Sequence, residues 1–479
     1  MGDSVKQFSL TIGIYMFAMG VGSFLTKYVG ERELLAFVRT ELLLGLLGGI
    51  SVPLLYFLFQ HQTNGQYQFT MLGLTFAIGL LTGLEIPLLA RVMKTYAPLR
   101  ENLANVLGFD YVGALAATLL FPFLLLPFVG LYSSSLIFGA VNLLLGCGVA
   151  WFFRNELSRR EKRGVYLLTA GGLVAFGLLL SWAEPFLQHW EARAYPHRVI
   201  YREQSPYQQI TLTQNRDDLR LYLNRVIQFS SRDEYRYHEA LALIPAAASG
   251  SVRRVLILGG GEGLLAREVL KIPEVEAVTI VDLDESIFRL ARQHAGIRAL
   301  NAGAVESPKV RCLSEDAAVF LRSDTSYYDL ILADLPDPGS EGIARLYSTW
   351  FFSMARARLA EGGIFATQAT SPFHTRKTFW AIYETLAAAG FEDLTPYHVL
   401  VPSFGAWGFV MAGARPPARL RPGLDYRFLE NEGLQPLFYF PADLRPDPNE
   451  EILPNRLDRP VLLDYFLEEW SDWQREKTS

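Results

Sequence analysis

Two aspartates, Asp334 and Asp337, stand three residues apart in "LADLPDP", directly after the apolar run "YDLILA". Paired carboxylates at a strand end can orient an amine, accept its proton and stabilise positive charge. The same spacing in an isolated loop would more often be a turn. Upstream, "LILGGGEGLL" supplies Gly259, Gly260, Gly261 and Gly263, which let the backbone pass close to a ligand at a helix N-terminus. A dinucleotide site would read GxGxxG, but Leu264 stands where the last glycine belongs and Glu262 sits inside the loop. A carboxylate there repels a pyrophosphate and attracts a cation such as an amine or a sulfonium. About 20 residues on, Asp282 ends "AVTIVD", the position from which an acid takes ribose hydroxyls; the alternative is a cap on the helix starting near Glu285. The turn "SEDAA" brings Asp316 and Ala317 to the next strand end, where Asp316 could accept from an exocyclic adenine amine. Together these residues describe an adenosine pocket without a phosphate cradle.

Such residues need a sheet to hold them. From about Tyr195, "YQQITLTQ", "RLYLN" and "VIQFS" alternate as short antiparallel strands, and the helix "RDEYRYHEALALIPAAA" follows. Strand and helix then alternate through "RRVLILGGGEGLLAREVL", "AVTIVDLDESIFRLARQHA", "VRCLSED", "GIFATQAT" and "WGFVMAG". The pattern predicts a small N-terminal antiparallel β subdomain over 195–235 and an α/β Rossmann-like, methyltransferase-type domain over 236–440, its sheet doubly wound and mostly parallel. The tail, 441–479, is proline-rich and then acidic, and reads as a surface appendage.

The first 185 residues have a different character. Apolar runs near 9–28, 34–59, 69–93, 108–129, 131–153 and 165–183 are each long enough to span a bilayer, which predicts a multi-pass α-helical membrane domain of about six helices. One cleaved signal peptide cannot account for six runs. Gly45/Gly49 and Gly79/Gly83 have the spacing that lets helix backbones approach in lipid. Glu85, beside Pro87, is an ionisable group in the third run, expected to pair with Arg91 or to reach the interface. Basic residues follow runs one, three and five, so the positive-inside rule puts those loops in the cytoplasm and, with six spans, the soluble half on the outer face. A ligand made only in the cytosol requires the opposite, and one span more or fewer reverses the parity.

Charge separates the halves further. Residues 1–185 hold 12 Lys/Arg and 10 Asp/Glu, against 32 and 39 in the remainder. No basic face is visible for nucleic acid. Cys147 and Cys312 form neither a disulfide framework nor a zinc spacing, and no metal site is expected.

The motifs "QSPYQQI", "NRVIQFSSRDEYRYHEAL", "LILGGGEG", "VDLD", "LADLPDP", "LYS" and "QATSPF", in this order, resemble the spermidine synthase (polyamine aminopropyltransferase) family, and the apolar first half resembles its membrane-anchored bacterial branch. That resemblance implies transfer of an aminopropyl group from decarboxylated S-adenosylmethionine to putrescine or a similar amine, giving spermidine and methylthioadenosine. The donor is a co-substrate and no cofactor is tightly bound. Asp334 looks like the catalytic carboxylate, and Asp337 like its partner in holding the amine. Tyr237, His238 and Gln228 match substrate-side residues, and Trp407 in "PSFGAWGF" resembles an aromatic wall. Gln208, Gly259, Gly261, Glu262, Asp282, Asp316 and Ala317 fall on the donor side.

The resemblance also implies partners and a location. They are a small diamine or polyamine, the lipid bilayer of the cell's inner membrane and no nucleic acid, with a homodimer among the assemblies soluble relatives allow. The sequence departs from the family where Glu262 replaces the usual aspartate, Asn224-Arg225 the usual Asp-Gly and Phe404 a tyrosine, and where Met1-Gly2-Asp3-Ser4 opens at a point by which that branch has completed another apolar helix. An S-adenosylmethionine methyltransferase, or a polyamine sensor or transporter that only binds, are the competing readings.

Overall fold

A computed structural model describes residues 4–30, 32–59, 64–95, 99–183 and 195–476. The boundary near 185–195, the opening Met1-Gly2-Asp3 and residues 60–63 of the polar stretch after the second apolar run lie outside the described residues. The chain divides into two compact units that part between residues 191 and 192.

The first unit contains six helices long and apolar enough to cross a membrane: α1 (Ser4–Leu25), α2 (Glu33–Phe59), α3 (Asn64–Val92), α4 (Leu99–Leu120), α5 (Gly130–Phe152) and α6 (Arg159–Ser181). Helices α4 and α6 begin well before the apolar runs that announced them, because their first turns are charged, with Arg100 and Glu101 in one and Arg159 to Arg163 in the other. The paired glycines do bring backbones together. A Cβ on Gly45 would lie 2.9 Å from the Gly139 carbonyl of α5, and one on Gly83 would lie 2.1 Å from the Met19 carbonyl of α1. Packing through small residues suits lipid, where no hydrophobic force drives helices together. Glu85 does not pair with Arg91. Its side chain faces Glu41 of α2, while Arg91 donates to the Thr26 carbonyl at 2.8 Å and lies 3.8 Å from Glu33.

The second unit opens with a four-stranded antiparallel sheet in the order β1 (Arg198–Gln204), β2 (Gln209–Asn215), β3 (Asp218–Leu223), β4 (Val226–Ser230). Helix α7 (Glu234–Ala248) leads to the main sheet. Its strands are β5 (Arg254–Gly259), β6 (Ala277–Asp282), β7 (Val310–Ser314), β8 (Tyr328–Asp334), β9 (Leu359–Gln368), β10 (Thr395–Val401) and β11 (Gly405–Ala412), arranged β10-β11-β9-β8-β5-β6-β7. The sheet is mixed, since β11 runs antiparallel to both β9 and β10. Strands β5 and β8 are apolar almost throughout because both faces are covered. From β5 the chain steps outward to β6 and β7, then returns to β8 on the other side of β5. That reversal opens a crevice beyond the carboxyl ends of β5 and β8.

The tail is not a surface appendage. Leu444 and Leu462 join the buried core under the sheet, and Asn455 is buried, its amide donating to the carbonyls of Ala344 and Tyr347. In the closing helix α8 (Leu462–Glu476), Glu469 accepts from the backbone N–H of Lys377 and Thr378 at 2.7 and 3.0 Å. It therefore caps the helix at Arg376–Ala388 from a distance in sequence that no local cap motif reveals.

Candidate active site

The crevice is built by close approach. Gly259 pairs with Asp334 across β5 and β8. Gly259 has φ +86° and a Cβ there would sit 2.0 Å from the Asp334 carbonyl oxygen, so only glycine fits. The Gly261 N–H donates to Asp282 Oδ2 at 3.1 Å, and a Cβ on Gly261 would meet that oxygen at 2.9 Å. Asp282 Oδ1 accepts from the Asp284 N–H at 3.0 Å. The helix cap belongs to Asp284 instead, which accepts from the Ser286 N–H at 3.0 Å. Asp284 Oδ2 also accepts from Ser205 Oγ at 2.6 Å and Gln208 Nε2 at 3.0 Å, which holds the β1–β2 turn against the end of β6.

Around Asp334 the partners come from four places in the sequence. The Tyr237 hydroxyl on α7 donates to Asp334 Oδ1 at 2.6 Å. His238 Nδ1 lies 2.8 Å from Glu234 Oε2, and its Nε2 lies 3.8 Å from Glu262 Oε1. Ligand atoms of His238, Glu262 and Asp334 lie within 4.8 Å of one another, a cup that suits a bound cation, ammonium or metal. Asp337 Oδ1 and Trp407 Nε1 are buried without a hydrogen-bond partner. The Trp407 ring stands 6.4 Å from Tyr237 and 5.3 Å from Phe404, forming a wall.

The electrostatics follow from burial without compensation. Burial, then repulsion from Asp334, lifts Glu262 to about 7. Burial takes Asp337 to about 7 against the opposing hydrogen bond from Gln368, and burial, helped by repulsion from Asp284 and Asp334, takes Asp282 to about 6 against the backbone N–H groups of Asp284 and Gly261. Asp334 is raised too, by burial. Among the described residues no Lys or Arg forms an ion pair with any of the four. Burial pulls the His238 imidazole down, but Glu234 first, then Asp334 and Glu262, outweigh it and leave it raised. The crevice is thus a set of carboxylates short of positive charge.

A spermine/spermidine synthase domain is matched over residues 234–419. Polyamine aminopropyltransferase 2 of Ralstonia nicotianae is 40% identical, over 98% of this chain and 92% of that protein. The polyamine aminopropyltransferase of Leptospira interrogans is also 40% identical, over 98% of this chain and 93% of its own length. The chain belongs to the polyamine aminopropyltransferase family. A solved spermidine synthase from Thermotoga maritima aligns at 24% identity over 57% of this chain and 88% of its own, with a TM-score of 0.43.

Of the residues this aminopropyltransferase was expected to use, Asp334, Asp337, Tyr237, His238, Trp407, Glu262, Asp282, Gly259, Gly261 and Gln208 lie at the crevice or against its walls. Gln228 bonds its own strand, donating to the Val226 carbonyl at 3.2 Å, and no hydrogen bond joins it to the Asp334 cluster. Asp316 is engaged at both oxygens. Oδ1 accepts from the backbone N–H of Ala318 at 2.8 Å, one residue beyond Ala317, and Oδ2 pairs with Arg345. Sequence reasoning missed Glu234, although its i,i+4 spacing to His238 was there to read. It also gave no task to Tyr347 and Gln368. The Tyr347 hydroxyl donates to the carbonyls of Leu335 and Pro336 at 3.1 and 3.0 Å, and Gln368 Nε2 donates to the Leu335 carbonyl at 2.7 Å, which fixes the "LPDP" loop.

Proposed function

We propose that the crevice transfers the aminopropyl group of decarboxylated S-adenosylmethionine to putrescine or a similar diamine, yielding spermidine and methylthioadenosine. The observation that carries this reading is the cluster of Glu262, Asp282, Asp334 and Asp337, half-buried in the crevice without an Arg or Lys counter-ion. Both reactants are cations and supply the missing charge. Asp282 takes the ribose hydroxyls and Glu262 faces the donor's amine, with Gln208 beside them. Asp316 and Ala317 meet the adenine, Asp316 through the oxygen it shares with Arg345.

The acceptor lies between Trp407 and Asp337, with Tyr237, His238 and, at the outer end, Gln228 on its path. An amine of ordinary pKa near 10.4 is protonated at neutral pH and cannot attack. Asp334, raised by burial and oriented by Tyr237, takes that proton. The freed nitrogen pair then bonds to the methylene beside sulfur. The carbon–sulfur bond breaks, its electron pair neutralises the sulfonium, and the proton leaves through Asp334. Alignment supplies the rest of the acceleration.

Assaying the purified full chain with the decarboxylated donor and putrescine should give methylthioadenosine. Appearance of S-adenosylhomocysteine from S-adenosylmethionine instead would overturn the reading. We also place the six apolar helices across the cell's inner membrane. Alkali-resistant membrane retention tests this, and protease access to the C-terminus in intact and broken cells decides the side on which catalysis occurs.

A further inference from the structure

The first unit contains a cavity of about 510 Å³ between the N-terminal halves of α2 and α6. Its mouth is polar, with Arg32, Ser158, Arg160 and Glu161, and Arg39 stands in the wall. Its deeper lining is apolar, with Leu42 from one helix and Leu168 from the other. At 1.5 Å per residue, Arg39 lies about 9 Å along α2 from Glu33, and Leu168 about 12 Å along α6 from Arg160. The two helices start at the same end, because Arg32 Nη1 reaches Glu161 Oε1 at 3.1 Å.

The cavity's acid is already committed. Glu161 accepts from Arg32 through one oxygen and from the Ser158 N–H at 2.8 Å through the other, closing a capping box. Three arginines therefore face one carboxylate, and among the described residues neither Arg39 nor Arg160 has an ion pair. Arginine at such a place is suited to bidentate recognition of phosphate.

We propose that this cavity binds an anionic phospholipid, its phosphate on Arg39 and Arg160 and the start of an acyl chain along Leu42 and Leu168. The inference depends on the six helices lying in a bilayer, as proposed above, and is independent of the chemistry in the crevice. The shared ligand chemistry is phosphate, and the apolar lower half favours the lipid over the free ion, since only a lipid covers it. This is also the basic end of the helices, which the positive-inside rule sets against the anionic leaflet.

The test uses the full chain in nanodiscs and mixed micelles containing labelled phosphatidylglycerol or phosphatidylcholine. The unaltered chain should retain phosphatidylglycerol at least tenfold more tightly than phosphatidylcholine, and R39Q/R160Q should lose that preference. R100Q, which removes an arginine outside the cavity, should bind as the unaltered chain does. Gly164→Phe checks the site without touching a charge, because the space beside Gly164 is open and a ring there fills the cavity. It should weaken phosphatidylglycerol binding by a similar factor even if the double variant does not fold. Equal retention of the two lipids, or undiminished retention in Gly164→Phe, overturns the proposal. So does complete displacement of the lipid by millimolar inorganic phosphate, which would make the site one for the free ion. Loss of lipid preference with methylthioadenosine formation intact separates this result from a failure of the catalytic reading.

Discussion

Glu262, half-buried in the crevice, and Glu234, buried one turn back along α7 from His238, are held in opposite ways. Glu234 accepts from both terminal nitrogens of Arg267 at 2.8 and 2.9 Å and from His238. Burial raises it, but those partners outweigh burial and bring it to about 2. Glu262 has no guanidinium, and burial carries it to about 7. Carboxylates paired to arginine brace the wall, whereas those without Arg or Lys line the crevice where we place the cationic reactants. Burial alone therefore does not single out the proposed site; burial without an Arg or Lys counter-ion does.

That contrast can be broken first at its centre. Asp334→Asn should lower turnover by about a thousandfold, the scale of a lost general base, with methylthioadenosine affinity changed less than threefold by calorimetry. Near-normal turnover would remove Asp334 from its role. On the braced side, Glu234→Gln takes from Arg267 one of its two carboxylates, leaving Glu268, and should cost about 1.5–3 kcal/mol of stability in thermal unfolding, the scale of a hydrogen bond to a charged group.

The two regions should also differ in the sign of their pH response. Glu262 and Asp337 have folded pKa values raised to about 7, so the folded chain holds protons that the unfolded chain has released. Their effect is to make stability fall as pH rises from about 4.5 to about 7, and Glu262→Gln should flatten that slope. Glu234 does the reverse: its contribution is present above about 4.5 and is lost as pH falls toward about 2. In kinetics, kcat/KM should decline below about pH 7, with the kcat limb lying lower because bound cations keep the carboxylates ionised. Coincident limbs would argue against cation binding at these acids. Trp407→Phe is the smallest step. It removes the buried indole N–H while keeping the wall, and should change the acceptor KM only a few-fold.

Much of the proposed site was legible because its residues sit at strand ends, and strand ends show in a sequence as apolar runs closing on glycine or aspartate. Asp334, Asp282 and the glycine loop were read this way. Gln228 was assigned by its neighbours in a motif, but a side chain on a short strand can turn to its own backbone, and it does. Asp316 carried a second signal, a helix cap, that competed with the adenine role. The tail misled because its composition resembles a linker, while its few apolar residues are spaced to fill gaps under the sheet.

The sequence by itself determined the periodicities: six apolar runs, two kinds of sheet, and carboxylates at the ends of buried strands. These depend on local geometry and on the cost of leaving apolar surface in water. Only the tertiary structure decided which acids would be neutralised. Arg267 reaches Glu234 from 33 residues away, and the polar tips of Tyr347 and Gln368 meet at the "LPDP" loop from separate elements. Charge compensation acts through space over a few ångströms, so it is set by what the fold brings close and not by order along the chain.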